Sequence, residues 1–148
     1  MAGFDFMSMY MEHSTITTEH AQRILSASQG QGIPCFPSPV SHSNDWIKPL
    51  FESGADWMII QMVNKKEEIH DLIKHIYYPP IGNRSYGVNR AHDYGFSLNE
   101  YFDGWNESAI FIIQVESIEA VSNIDELLSF DDVADVVIGP MYLSGSCG

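Results

Sequence analysis

Apolar residues recur along this chain in two rhythms. Unbroken apolar runs dominate residues 6–11, 57–63, 109–116 and 134–139. Between them, apolar residues return at helical spacing, so the first kind predicts buried strands and the second amphipathic helices. The strand over residues 6–11 is rich in Met and Phe and closes at Glu12-His13. Thr17-Thr18-Glu19 then opens a helix through Ala21, Ile24 and Leu25, which Gly30-Gln31-Gly32 ends. Residues 33–36 form a short strand candidate among prolines. Asn44-Asp45 caps a helix that passes through Ile47, Leu50 and Phe51 and stops at Gly54. Residues 65–76 predict a helix with Ile69, Leu72, Ile73 and Ile76 on one face, stopped at Tyr77-Tyr78-Pro79-Pro80. Residues 81–108 read as loop with a short helix at 98–102, residues 118–128 as one helix, and the glycine-bearing 145–148 as a mobile end.

Strands that alternate with helices and are apolar throughout imply α/β architecture, a parallel sheet covered by helices through right-handed βαβ units. The pattern leaves a barrel and an open doubly wound sheet both standing. In either, the carboxyl ends of the strands carry the site. Three polar or turn-forming clusters fall at such ends: Glu12-His13, Gln114-Val115-Glu116 and Gly139-Pro140.

Charge narrows the choice of partner. The 148 residues make one domain with enough material for a core, and the net charge is −13 with only 7 Lys plus Arg. Nucleic acid and anionic membranes need a basic surface, so both are excluded as expected partners. The 2 cysteines, Cys35 and Cys147, lie far apart and imply reduced thiols rather than a disulfide framework. The start of the chain lacks the pattern of a signal peptide, no apolar run is long enough to span a bilayer, and a cytoplasmic location is expected.

Glu116 follows the apolar Ile110-Phe111-Ile112-Ile113. A carboxylate there is costly to desolvate unless it pairs, caps a helix or binds a hard cation, and the capping reading stands beside the metal one. His13 is a candidate general base because imidazole titrates near neutrality, although a lone histidine is commonly structural. The remaining histidines show no zinc-ligand spacing. Arg84 sits in the rigid turn Tyr78-Pro79-Pro80-Ile81-Gly82-Asn83-Arg84. It is placed to meet a carboxylate of a substrate, or equally one of a neighbouring loop or subunit.

Taken together these segments resemble the HpcH/HpaI aldolase family. The matching stretches are Gly3-Phe4-Asp5-Phe6 leading to Glu12-His13, Ile47-Lys48 through Gly54-Ala55-Asp56, and Met62-Val63. The 78–84 turn, Gln114-Val115-Glu116, and Ile138-Gly139-Pro140 with Leu143-Ser144 complete them. The resemblance implies a (β/α)8 TIM-type barrel, here partial, with about five parallel strands in a single incomplete domain over residues 1–148. It implies a carbon–carbon lyase that cleaves 4-hydroxy-2-oxo acids to pyruvate and an aldehyde with Mg2+ or Mn2+ as Lewis acid. By resemblance Glu116 is a metal ligand and His13 and Arg84 are catalytic candidates, the role of Arg84 left open. Gln114, Gly139 and Pro140 would bind a small pyruvate-like 2-oxo acid.

Three departures stand against full activity. Tyr142 occupies the place of the family's second metal carboxylate, and a neutral phenol is a poor ligand for a hard cation. Tyr10 replaces an aspartate that works with the histidine. No Lys or Arg lies between Arg23 and Lys48, where the family has an arginine, and the nearest ungapped match is Ser38. A complete barrel takes about 250 residues. The chain is therefore expected to be a fragment, to pack differently, or to cover its sheet edges in a homo-oligomer. A catalytically impaired relative serving as a binding or assembly module is the alternative to the lyase.

Overall fold

A computed structural model describes residues 3–148. The strands are β1 (Met7–Tyr10), β2 (Cys35–Ser38), β3 (Ile59–Ile60), β4 (Phe111–Val115) and β5 (Val133–Ile138). The helices are α1 (Thr18–Gln29), α2 (Asn44–Glu52), α3 (Lys66–Ile76), α4 (Leu98–Ser108), α5 (Ile118–Ser122), α6 (Ile124–Leu127) and α7 (Pro140–Cys147), with a 3-10 segment at Arg90–Gly95.

All pairings are parallel. β1 pairs with β2, Met7 opposite Cys35 and Tyr10 opposite Ser38. β3, β4 and β5 form a second ladder in that order. Between β2 and β3 side chains replace the ladder. Ser38 Oγ donates to Gln61 Oε1 at 2.7 Å, and the Gln61 amide donates to the Pro39 carbonyl.

The two faces of this arc differ because successive side chains on a strand point opposite ways. Met9, Met11, Cys35, Met58, Ile60, Phe111, Ile113 and Val115 are buried with Leu25, Ile47, Leu50, Ile69 and Leu72 of the helices. The other face is apolar at its base and polar at its rim. At the base, about 410 Å³ of space is lined by Phe6, Phe36, Trp57, Ile59, Ile112 and Val137, together with Asp5 and Asp135. Phe36 stacks between Phe6 and Trp57, at 5.6 and 5.4 Å between ring centres. At the rim stand Tyr10, Glu12, Ser38, Gln61, Gln114, Glu116 and Gly139.

Side-chain caps open α1 and α5. Thr17 Oγ1 caps α1 by accepting from the His20 amide at 3.3 Å. Ser117 Oγ does the same for α5, accepting from the Ala120 amide at 3.0 Å. The helix expected over 118–128 breaks in two at Asn123, whose side-chain amide donates instead to the Asn64 carbonyl at 2.8 Å. The end of the chain also differs from expectation. Residues 140–147 are helical, and Pro140 opens α7 where a missing N–H costs no helical bond. The short helix expected at 98–102 extends to Ser108, anchored by buried Trp105, whose indole donates to the Ile76 carbonyl at 2.9 Å.

Candidate functional site at the strand carboxyl ends

His13, Gln114, Glu116, Gly139 and Pro140 meet at one rim of the arc. Parallel register brings them there: Val115 pairs with Ile138, so the residues just beyond, Glu116 and Gly139, lie side by side. Glu116 is 3% exposed, and the Gln114 amide donates to its Oε1. Burial raises the Glu116 pKa above the usual carboxylate range, and the negative charge of Glu12 adds to the rise. The Gln114 amide and His13 pull the other way without cancelling it. Gly139 is required by proximity. A Cβ there would lie 2.6 Å from Glu116 Oε1 and 3.0 Å from Gln114 Nε2.

His13 is joined to both ends of the chain's fold. Its Nε2 lies 3.7 Å from Glu12 Oε2 and forms a hydrogen bond with the Tyr142 hydroxyl of α7. The two rings stack, 5.8 Å apart and 9° from parallel. Tyr10 donates to Glu12 Oε2 at 3.0 Å. Burial holds the Tyr10 phenol above its ordinary pKa, and the Glu12 carboxylate that accepts from it reinforces this. Tyr10, Glu12, His13 and Tyr142 therefore form one continuous polar chain across the rim.

Arg84 does not join them, which corrects its grouping with His13. α2 and α3 run back against the strands, so their last turns lie at the strands' amino ends. Arg84 is held there, 2% exposed, by Glu52 at the end of α2, with Nη2 donating to Oε1 at 2.9 Å. Its guanidinium also lies 4.5 Å from the Trp105 ring centre and 4.7 Å from that of Tyr78. Gly82 makes the turn possible, since a Cβ there would meet the Tyr77 carbonyl oxygen at 2.3 Å. The rigid turn thus delivers Arg84 into the helical layer as a structural ion pair, the alternative its sequence context left open.

Gln61 is the rim residue that motif reading missed. It is 3% exposed, accepts from Ser38 as described, and its carbonyl meets His42 Nε2 at 2.5 Å. The signal was available: Gln61 ends the apolar Met58-Ile59-Ile60 as Gln114 and Glu116 follow the apolar part of β4. Ser38 lies where the sequence lacks the expected arginine, so that rim position carries a hydroxyl instead of a cation. Among the described residues, no helix is long and apolar enough to cross a membrane.

The comparisons with known proteins bear on the fold and the family. The chain is 32% identical over 149 aligned positions to 2-keto-3-deoxy-L-rhamnonate aldolase of Escherichia coli (strain K12), covering 99% of this chain and 55% of that protein. The protein of the same name from Salmonella newport (strain SL254) matches with the same identity and coverage, 32%, 99% and 55%. The chain thus spans about half the length of these curated relatives. An HpcH/HpaI aldolase from Desulfitobacterium hafniense DCB-2 superimposes with a TM-score of 0.91 at 25% identity, covering 99% of this chain and 57% of that one. A family protein from Burkholderia cenocepacia J2315 gives the same TM-score, 0.91, at 22% identity over 99% of this chain and 60% of the other, a likeness of fold. The described strands and helices are accordingly part of a TIM-barrel-type fold. Since the family model for HpcH/HpaI aldolase/citrate lyase matches residues 1–148, the chain belongs to that family.

Proposed function

We propose that the rim binds a small 2-oxo acid and supports carbon–carbon cleavage of a 4-hydroxy-2-oxo acid to pyruvate and an aldehyde. The observation that carries this reading is the convergence of His13, Gln114, Glu116 and Gly139 at the strand carboxyl ends. In the cleavage, His13 takes the proton of the substrate's 4-hydroxyl on Nδ1, since Nε2 faces Tyr142 and Glu12. The C3–C4 bond then breaks, its electron pair forms the pyruvate enolate, and the proton returns to C3. The Gln114 amide would meet the carboxylate, whereas the expected backbone contacts fall away, because the Gly139 N–H already donates to the Val115 carbonyl at 3.0 Å and Pro140 has none.

Class II aldolases of this family generally use a divalent cation. The donors at this rim do not fit a resident one. Glu116 Oε1 is engaged by the Gln114 amide, and Tyr142, in the place of the second carboxylate, is bonded to His13. Among the described residues no group of three His, Cys, Asp or Glu is arranged to hold a metal ion. The lyase reading for this chain therefore rests on its own side chains.

A coupled assay for pyruvate released from a short 4-hydroxy-2-oxo acid tests the proposal. A positioned acid/base group contributes about 100-fold or more, so His13→Ala should lose at least that factor. Equal release by the two proteins refutes the lyase. Ser38, where a cation is absent, favours a second reading, a relative that binds 2-oxo acids without turning them over. That reading predicts pyruvate binding with no release from the longer acid.

A further inference from the structure

Tyr142 is half exposed in the first turn of α7, yet its hydroxyl is fixed by a residue 129 positions away. His13 holds it by a hydrogen bond and by ring stacking. The same His13 nitrogen faces Glu12 Oε2 at 3.7 Å, and Glu12 already accepts from Tyr10. A carboxylate on that side favours the tautomer with the proton on Nε2. The imidazole then donates to the phenol oxygen and leaves the phenol proton free to turn into the rim. Three residues earlier, Gly139 lies against Glu116 and Gln114. The hydroxyl, the amide and the buried carboxylate thus all stand at the strand ends, where Glu116 and Tyr142 both act on the Tyr10 phenol. Neutral donors pre-set in this way hold a carbonyl oxygen that carries negative charge.

We propose that Tyr142 is a substrate-contacting residue whose hydroxyl, braced by His13, binds the oxygen of a 2-oxo acid in place of a divalent cation. The inference rests on the 2-oxo acid reading of the rim. It makes binding independent of metal and makes Tyr142 the residue that decides this.

Pyruvate is the probe, titrated by calorimetry into the whole chain in EDTA and again with Mn2+. Wild type should bind equally in both buffers. Tyr142→Phe should weaken binding about tenfold or more, the loss of a hydrogen bond to a charged group, with an unchanged thermal melt. Tyr142→Asp supplies a second carboxylate, so it should bind pyruvate only when Mn2+ is present. Binding by wild type only with Mn2+, or undiminished binding by Tyr142→Phe, overturns this inference and leaves the 2-oxo acid reading intact. No binding of pyruvate by any of the three proteins in either buffer overturns both.

Discussion

Two charged side chains are buried at opposite ends of the same strands. Arg84, at the amino ends, meets Glu52 at 2.9 Å and lies against aromatic rings. Glu116, at the carboxyl ends, meets an amide and has another carboxylate, Glu12, as its charged neighbour. The first charge is matched by an opposite one, although its Nε and Nη1 are buried without hydrogen-bond partners. The second is left in a setting that penalises its charged form, with a phenol and an imidazole nearby. Burial alone therefore does not mark a site, since both groups are nearly inaccessible. What separates them is whether the protein supplies the opposite charge, and an unmatched one is the common signature of a place where a ligand acts.

The largest effect expected from this contrast is on stability at the Arg84 end. Arg84→Met leaves Glu52 buried without a partner and should cost about 3–5 kcal/mol in urea unfolding. Adding Glu52→Leu removes the orphaned charge, and the double variant should regain most of the loss. A double variant as unstable as the single would show that the ring packing, not the pairing, holds this end.

Gly139→Ala probes the other end with a smaller effect on folding. The new methyl meets Oε1 and Cγ of buried Glu116 and the Gln114 amide, which must move aside, so about 1–3 kcal/mol is expected. Pyruvate binding should also fall, at least about tenfold, because the displaced groups are those of the rim. Wild-type affinity in this variant would remove Glu116 and Gln114 from the site.

The smallest effect concerns pH. The Glu116 pKa is higher in the folded chain than in the unfolded one, through burial first and Glu12 second. The folded state then keeps the proton to higher pH, so wild type loses stability as pH rises from the ordinary carboxylate range through the raised value. Glu116→Gln abolishes that loss. Its melting midpoint should exceed that of wild type at pH 7, and this advantage should vanish below about pH 4, near the ordinary glutamate value. A pH-independent gap between the two proteins would contradict the strain assigned to Glu116.

Much of this was legible from pattern alone. Apolar runs located all five strands, including β2 despite Pro37, which sits within it and has only one laddered neighbour. Helix ends followed from Thr17, from Gly54 and from the Tyr77–Pro80 stop. The rim residues were legible because polar groups that end apolar strands converge in any parallel α/β fold. Gln61 follows the same rule and was passed over because it matched no motif. Arg84 misled for the opposite reason, since a motif fixes the shape of a turn and not the end of the barrel that the turn faces. The bond between His13 and Tyr142 was not legible, because it joins residues 129 positions apart, one beyond the end of β1 and the other on α7. α7 itself was hidden by its glycines and small residues, with only Pro140 to announce a start.

The proposed 2-oxo acid site lies at the unmatched carboxylate end of the strands, not at the Arg84 end. Titrating pyruvate into wild type, Gly139→Ala and the Arg84→Met/Glu52→Leu double variant tests it most directly. The double variant should bind like wild type and Gly139→Ala at least tenfold more weakly, a difference of about 1.4 kcal/mol. Binding that survives in Gly139→Ala but is lost in the double variant would place the ligand at the other end and contradict it.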